Sequence, residues 1–80
     1  MYIFFSEIHL CYDPIIKNLM VVYIQKYKPF DEADAFIVVR DRIVKFAEEK
    51  GYKHYKQYSD DIIKYRSNLA EYTRFIIFYD

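Results

Sequence analysis

The sequence predicts a mainly α fold, with an N-terminal strand followed by three helices over about residues 14–28, 31–50 and 59–79. Three observations carry that expectation. Apolar residues recur at steps of three and four along most of the chain, each such stretch opens on a residue suited to cap helix amides, and alternation is clear only near the N-terminus. The alternative is an α+β fold in which residues 73–79 form a second strand pairing with the first, because Phe75, Ile76, Ile77, Phe78 and Tyr79 are residues that strands favour.

The first element is read from side-chain alternation. Glu7, His9, Cys11 and Asp13 share one side, Ile8, Leu10 and Tyr12 the other, which is the period of a strand over about residues 2–12. Asp13-Pro14 then suits a helix start, since Asp accepts from free amides and Pro at the first helical position has no amide to satisfy. Ile16, Leu19, Met20, Tyr23 and Tyr27 follow at helical spacing until Pro29, while the β-branched Val21, Val22 and Ile24 leave an extended course open for the second half.

The second helix is the best marked. Asp31, Glu32 and Asp34 put negative charge at the positive end of its dipole, Phe36, Val39, Ile43, Phe46 and Ala47 make one stripe, and Ile37 and Val44 widen it. Gly51, the only glycine, supplies the left-handed stop, with Tyr52 folding back toward Ala47. Ser59 with Asp60 and Asp61 then begins a third helix, whose seam is Ile62, Tyr65, Leu69, Tyr72, Ile76 and Tyr79. A lone strand leaves backbone groups unpaired on both edges, so it calls for the C-terminal segment or the same strand of a second copy.

Eighty residues make a single compact domain, 1–80, with ten tyrosines and seven phenylalanines to hide in a small core. That excess of large side chains predicts self-association, a homodimer, and a protein partner. Lys plus Arg and Asp plus Glu balance at 12 each, so the overall field offers no footprint for nucleic acid or an acidic membrane. The longest apolar run, residues 19–24, is too short to span a bilayer, and one cysteine cannot form an internal disulfide. These features fit a cytoplasmic protein with no membrane role, in the host-cell cytoplasm if the chain is viral.

Candidate chemistry is thin. His9, Cys11 and Asp13, with Glu7, offer nitrogen, sulfur and oxygen donors on one strand face, but structural zinc sites use paired Cys or His spacings that are missing here. Neither His9 nor His54 is placed by the sequence to activate Cys11. The acidic groups sit at helix starts or beside lysines, where dipole and pairing explain them. A single glycine excludes the phosphate-cradling loops of nucleotide-dependent enzymes. The expectation is a chain with no catalytic, metal or cofactor residues.

What remains is a basic and aromatic surface, Lys50, Tyr52, Lys53, His54, Tyr55, Lys56 and Tyr58, side chains that meet phosphates, stack on rings or anchor interfaces. A strand followed by two helices over residues 2–50 resembles, in element order, the ribbon-helix-helix repressors, which dimerise through the strand and set its outward side chains in the major groove. Here those would be Glu7, His9, Cys11 and Asp13, a set that phosphates repel. The first functional reading is therefore a small non-enzymatic interaction protein acting on a protein partner and on itself, of the kind found among accessory factors of viruses and mobile elements. The alternative is a dimeric nucleic-acid-binding protein using the basic, tyrosine-rich region 40–66.

Overall fold

The computed structural model describes residues 5–26, 32–66 and 69–79. In chain order the elements are β1 (Phe5–Asp13), β2 (Asn18–Lys26), α1 (Glu32–Lys50), β3 (His54–Gln57), β4 (Ile62–Arg66) and β5 (Leu69–Tyr79). The strands form one antiparallel sheet in the order β1-β2-β5, with β3 and β4 both pairing along the far side of β5. His54 to Gln57 pair with Tyr79 to Ile76, and Ile62 to Arg66 pair with Thr73 to Leu69. Thus β3 and β4 act as one interrupted edge strand, with residues 58–61 bulging opposite Arg74 and Phe75.

A β-rich sheet with one helix replaces the mainly α fold expected over residues 14–28, 31–50 and 59–79, and the chain is not a helical protein. Among the described residues only the helix expected over 31–50 forms, as Glu32–Lys50; Asp31, residues 27–28 of the first expected helix and 67–68 of the third lie outside the described residues. Asp13-Pro14 opens a hairpin turn: the Ile15 amide donates to Asp13 Oδ1 at 3.0 Å, and Lys17 takes φ 57° before β2 begins. The same Asp-Pro chemistry suits a turn as well as a helix start, and the β-branched Val21, Val22 and Ile24 decide for the strand. Likewise Ser59, Asp60 and Asp61 belong to the bulge, and the seam from Ile62 to Tyr79 is two strands. Residues 73–79 are extended as in the α+β alternative, but they pair with β2 and β3, and β2 lies between them and β1. With β2 beside it, the first strand is paired along one edge and forms the border of the sheet, and the element-order likeness to ribbon-helix-helix proteins falls away.

The helix covers one face of the sheet. Its buried stripe, Ala35, Val39, Ile43, Phe46 and Ala47, meets Leu19, Val21 and Tyr23 of β2 and Tyr72, Ile76 and Phe78 of β5, with Ile8, Leu10 and Tyr12 of β1 at the margin. Each fully buried aliphatic contributes about 1.5–3 kcal/mol of transfer free energy, so this layer carries the stability. Phe36, expected in the stripe itself, and Ile37 and Val44, expected to widen it, are exposed, and Ala35 takes the buried place instead.

Gly51 ends α1 at φ 78°. Its amide donates to the Glu48 carbonyl at 3.2 Å and the Tyr52 amide to the Ala47 carbonyl at 2.9 Å, the paired bonds of a left-handed helix stop. The reversal drops Tyr52 onto the core edge, where its ring stacks on Phe78 at 4.6 Å and its hydroxyl bonds that of Tyr12.

Candidate functional site

The strand registers place every side chain on one face or the other. The helix takes even positions of β1 and β5 and odd positions of β2; their neighbours form a second face with no helix over it among the described residues. Four rows cross that open face. Glu7, Ile24, Glu71 and Lys64 make one, His9, Val22, Thr73 and Ile62 the next, then Cys11, Met20 and Phe75, then Asp13, Asn18, Ile77 and Lys56. The centre is apolar, the β1 side carries Glu7 and Asp13, and the β3–β4 side carries Lys56, Lys64 and Arg66.

Exposure supports this division. Met20 is 36% and Ile62 42% exposed, Val22, Ile24, Phe75 and Ile77 are half-buried, and Thr73 between them is buried. Tyr58 stands on the bulge with its ring 5.8 Å from that of Phe75. Beside it a depression of about 490 Å³ is lined by Cys11, Met20, Ile16 and Tyr58, with Ile16 54% exposed at the β1–β2 turn.

The bulge is held from the helix side. Arg74, 8% exposed, reaches the Asp61 carboxylate with Nε and Nη2, and Nη2 also donates to the Tyr72 hydroxyl at 2.7 Å. The Tyr72 hydroxyl donates to Asp61 Oδ2 at 2.5 Å, Gln57 Nε2 donates to Oδ1 at 2.7 Å, and Arg74 lies 4.3 Å over the Phe36 ring. Burial opposes ionisation of Asp61, but the bonds from Arg74 and Tyr72 outweigh it and hold the carboxyl below its ordinary range. Burial, then the bond to Asp61, pushes the Tyr72 phenol up to about 12. This network fixes the shape of the edge.

The seven residues singled out in the sequence are dispersed. Lys50 ends α1, with Nζ 5.8 Å from the Phe46 ring. Tyr52 is half-buried in the core edge, and Tyr55, opposite Phe78, also faces the helix side. Lys53 is exposed between α1 and β3. His54 and Lys56 lie on the open face against Tyr79, whose ring centroid is 5.5 Å from His54 and 5.9 Å from the Lys56 ammonium. Tyr58 joins them. The wider region 40–66 is divided too, since Arg40 and Lys45 lie on the helix and Lys56 and Lys64 on the far face of the sheet.

Glu7, His9, Cys11 and Asp13 do share the open side of β1, where His9 Nε2 lies 2.9 Å from Glu7 Oε1. No cluster of three metal-ligating side chains occurs among the described residues. The residues that sequence reasoning missed are the apolar centre itself, Met20, Val22, Ile24, Phe75 and Ile77. The available signal was that β2 and β5 are apolar on both faces, whereas one helix can cover only one.

No protein-family model matches the chain, and neither the curated proteins nor the solved structures contain a match. No helix of the described residues is long and apolar enough to cross a membrane.

Proposed function

We propose that the chain is a small, non-enzymatic interaction protein whose open sheet face binds a protein partner and a second copy of the chain. The observation that supports this is an apolar centre, Met20, Val22, Ile24, Phe75 and Ile77, with charge at its rim and no helix over it among the described residues. Contiguous apolar patches rimmed by polar residues mark docking sites in soluble proteins, and burial yields about 25 cal/mol per Å² of apolar surface. The groups whose ionisation is displaced, Tyr12, Asp61, Tyr72 and Arg74, are tied to one another or to Tyr52, an arrangement suited to holding shape. The exposed free thiol of Cys11 on this face fits a reducing, cytoplasmic setting.

The test places a lysine in the apolar centre, as Val22→Lys or Ile77→Lys, beside the helix control Ile37→Lys. Light scattering at high protein concentration reads association, and an apolar fluorescent dye at low concentration reads the free face. Both signals fall in the two sheet variants and persist in the control, with the far-ultraviolet spectrum unchanged. Retention in the sheet variants with loss in Ile37→Lys contradicts the reading and moves the surface to the helix.

A nucleic-acid reading draws on one observation, His54, Lys56, Lys64 and Arg66 along the β3–β4 side beside Tyr79 and Phe75. Open four-stranded sheets with aromatic side chains stack single-stranded bases in some RNA-binding domains. Glu7, Asp13 and Glu71 on the same face repel phosphates. Salt-sensitive single-strand binding that is lost on neutralising Lys56, Lys64 and Arg66 would favour this reading.

A further inference from the structure

We infer that the open face is occupied by a second copy, packed face to face about a two-fold axis running parallel to the strands. The inference rests on the docking-face reading above and specifies its occupant and geometry.

Glu7 and Lys64 lie at opposite ends of one row, Asp13 and Lys56 at opposite ends of another. A two-fold axis along the strands, between β2 and β5, exchanges left and right and keeps each row at its own level. Glu7 of one copy then faces Lys64 of the other, and Asp13 faces Lys56, each pair occurring twice by symmetry. An axis across the strands would instead set Glu7 over Asp13 and Lys56 over Lys64, like charge on like. The face is therefore self-complementary in one orientation only.

The centre agrees with that orientation. Met20 and Val22 of β2 come to lie against Phe75 and Thr73 of the partner's β5, and Ile62 against the partner's His9. Glu71 comes over the partner's Ile24, with Lys64 its cross-strand neighbour in its own chain to balance it. Two sheets pack about 10 Å apart with strands inclined by about 30°, a gap that lysine and glutamate side chains span. Four strands at about 4.8 Å spacing and nine residues in length present roughly 600 Å² per copy, close to the lower end of stable interfaces. The product is an eight-stranded sandwich with the two helices outside.

Within one chain, Glu7 and Lys64 are three strand spacings apart, about 14 Å, too far to pair. A charge exchange therefore reports only contact between copies. Sedimentation equilibrium on the full chain compares the wild type with Glu7→Lys, Lys64→Glu and the double variant. Each single change enters the dimer twice and weakens it about tenfold or more, whereas the double variant recovers to within about threefold of wild type. Lys56→Glu with Asp13→Lys gives an independent second pair should either variant of the first fail to fold. A monomer at all concentrations overturns the second copy as occupant while leaving the dye-binding test of the face intact. Association that is lost in Val22→Lys but not recovered by the charge exchange overturns the two-fold placement and keeps the docking face.

Discussion

Arg74 and Asp61 form a two-pronged ion pair across the bulge of the edge strand, Nε to Oδ1 at 3.2 Å and Nη2 to Oδ2 at 2.9 Å. The pair explains why residues 58–61 depart from regular pairing at that point. Arg74 points to the helix side of a central strand, where an unpaired guanidinium would be costly, and the extra residues let Asp61 reach it.

Removing either partner should therefore cost more than a surface ion pair. Asp61→Asn and Arg74→Met are each expected to lower stability by about 2–4 kcal/mol, because one charge or several donors stay buried without a match. Urea unfolding at neutral pH measures it. Losses below about 0.5 kcal/mol would show that the pair is solvated like any surface pair.

The depressed Asp61 ionisation has a pH signature. As the pH falls, the unfolded chain takes up its proton first, near the ordinary value of about 3.9, so stability rises with pH across that interval. The contribution is complete above that value and is lost as the pH drops through the lower folded-state value. Thermal melts between neutral pH and strong acid should fall more steeply for wild type than for Asp61→Asn.

Two phenols carry the opposite sign. The bond to Tyr52, then burial, pushes Tyr12 up to about 12, the level Tyr72 also reaches. The unfolded chain loses these protons first, so their contribution is full below about pH 10 and lost as the pH rises toward 12. An ultraviolet phenolate titration should show two late-ionising tyrosines, one of which returns to the ordinary range in Tyr52→Phe. A single uniform transition would contradict the two contacts.

Gly51 offers a cleaner backbone test. A Cβ built there meets nothing within 4 Å, so Gly51→Ala is penalised only by its φ of 78°. The expected loss is about 1 kcal/mol. A loss of several kcal/mol would mean that the helix stop does more than reverse the chain.

The two faces of the sheet should separate stability from association. Ile43→Ala, beneath the helix, is expected to cost about 2–4 kcal/mol, whereas Val22→Thr on the open face should cost under about 1 kcal/mol yet weaken association. Denaturation and light scattering on the same samples distinguish them. Equal stability losses would mean that the face is already core in the isolated chain.

The sequence made β1 and α1 legible because each carries one clear period, two residues in β1 and three to four in α1. Glu7, His9, Cys11 and Asp13 alternate with Ile8, Leu10 and Tyr12, and the stripe from Ala35 to Ala47 ends at an unambiguous Gly51. β2 and β5 were misread for the reason that makes them interesting. Leu19, Val21 and Tyr23 face the helix while Met20, Val22 and Ile24 face outward, so the period of two vanishes and any run of that composition also fits a helical seam. Pairings as distant as Val22 with Thr73 leave no local trace. The apolar outward face thus hid the strands and, with them, the candidate site, while the basic connector that stood out was divided between the two sides of the sheet.

Solvent paramagnetic relaxation of side-chain methyls, followed as the protein is concentrated, locates the docking surface residue by residue. The methyls of Met20, Val22, Ile24 and Ile77 are expected to relax fast in dilute solution and to become as protected as those of Val39 and Ile43 when association sets in. If the protein associates while those four remain open and the methyls of Ile37 and Val44 on the helix become protected instead, the open face of the sheet is not its docking surface.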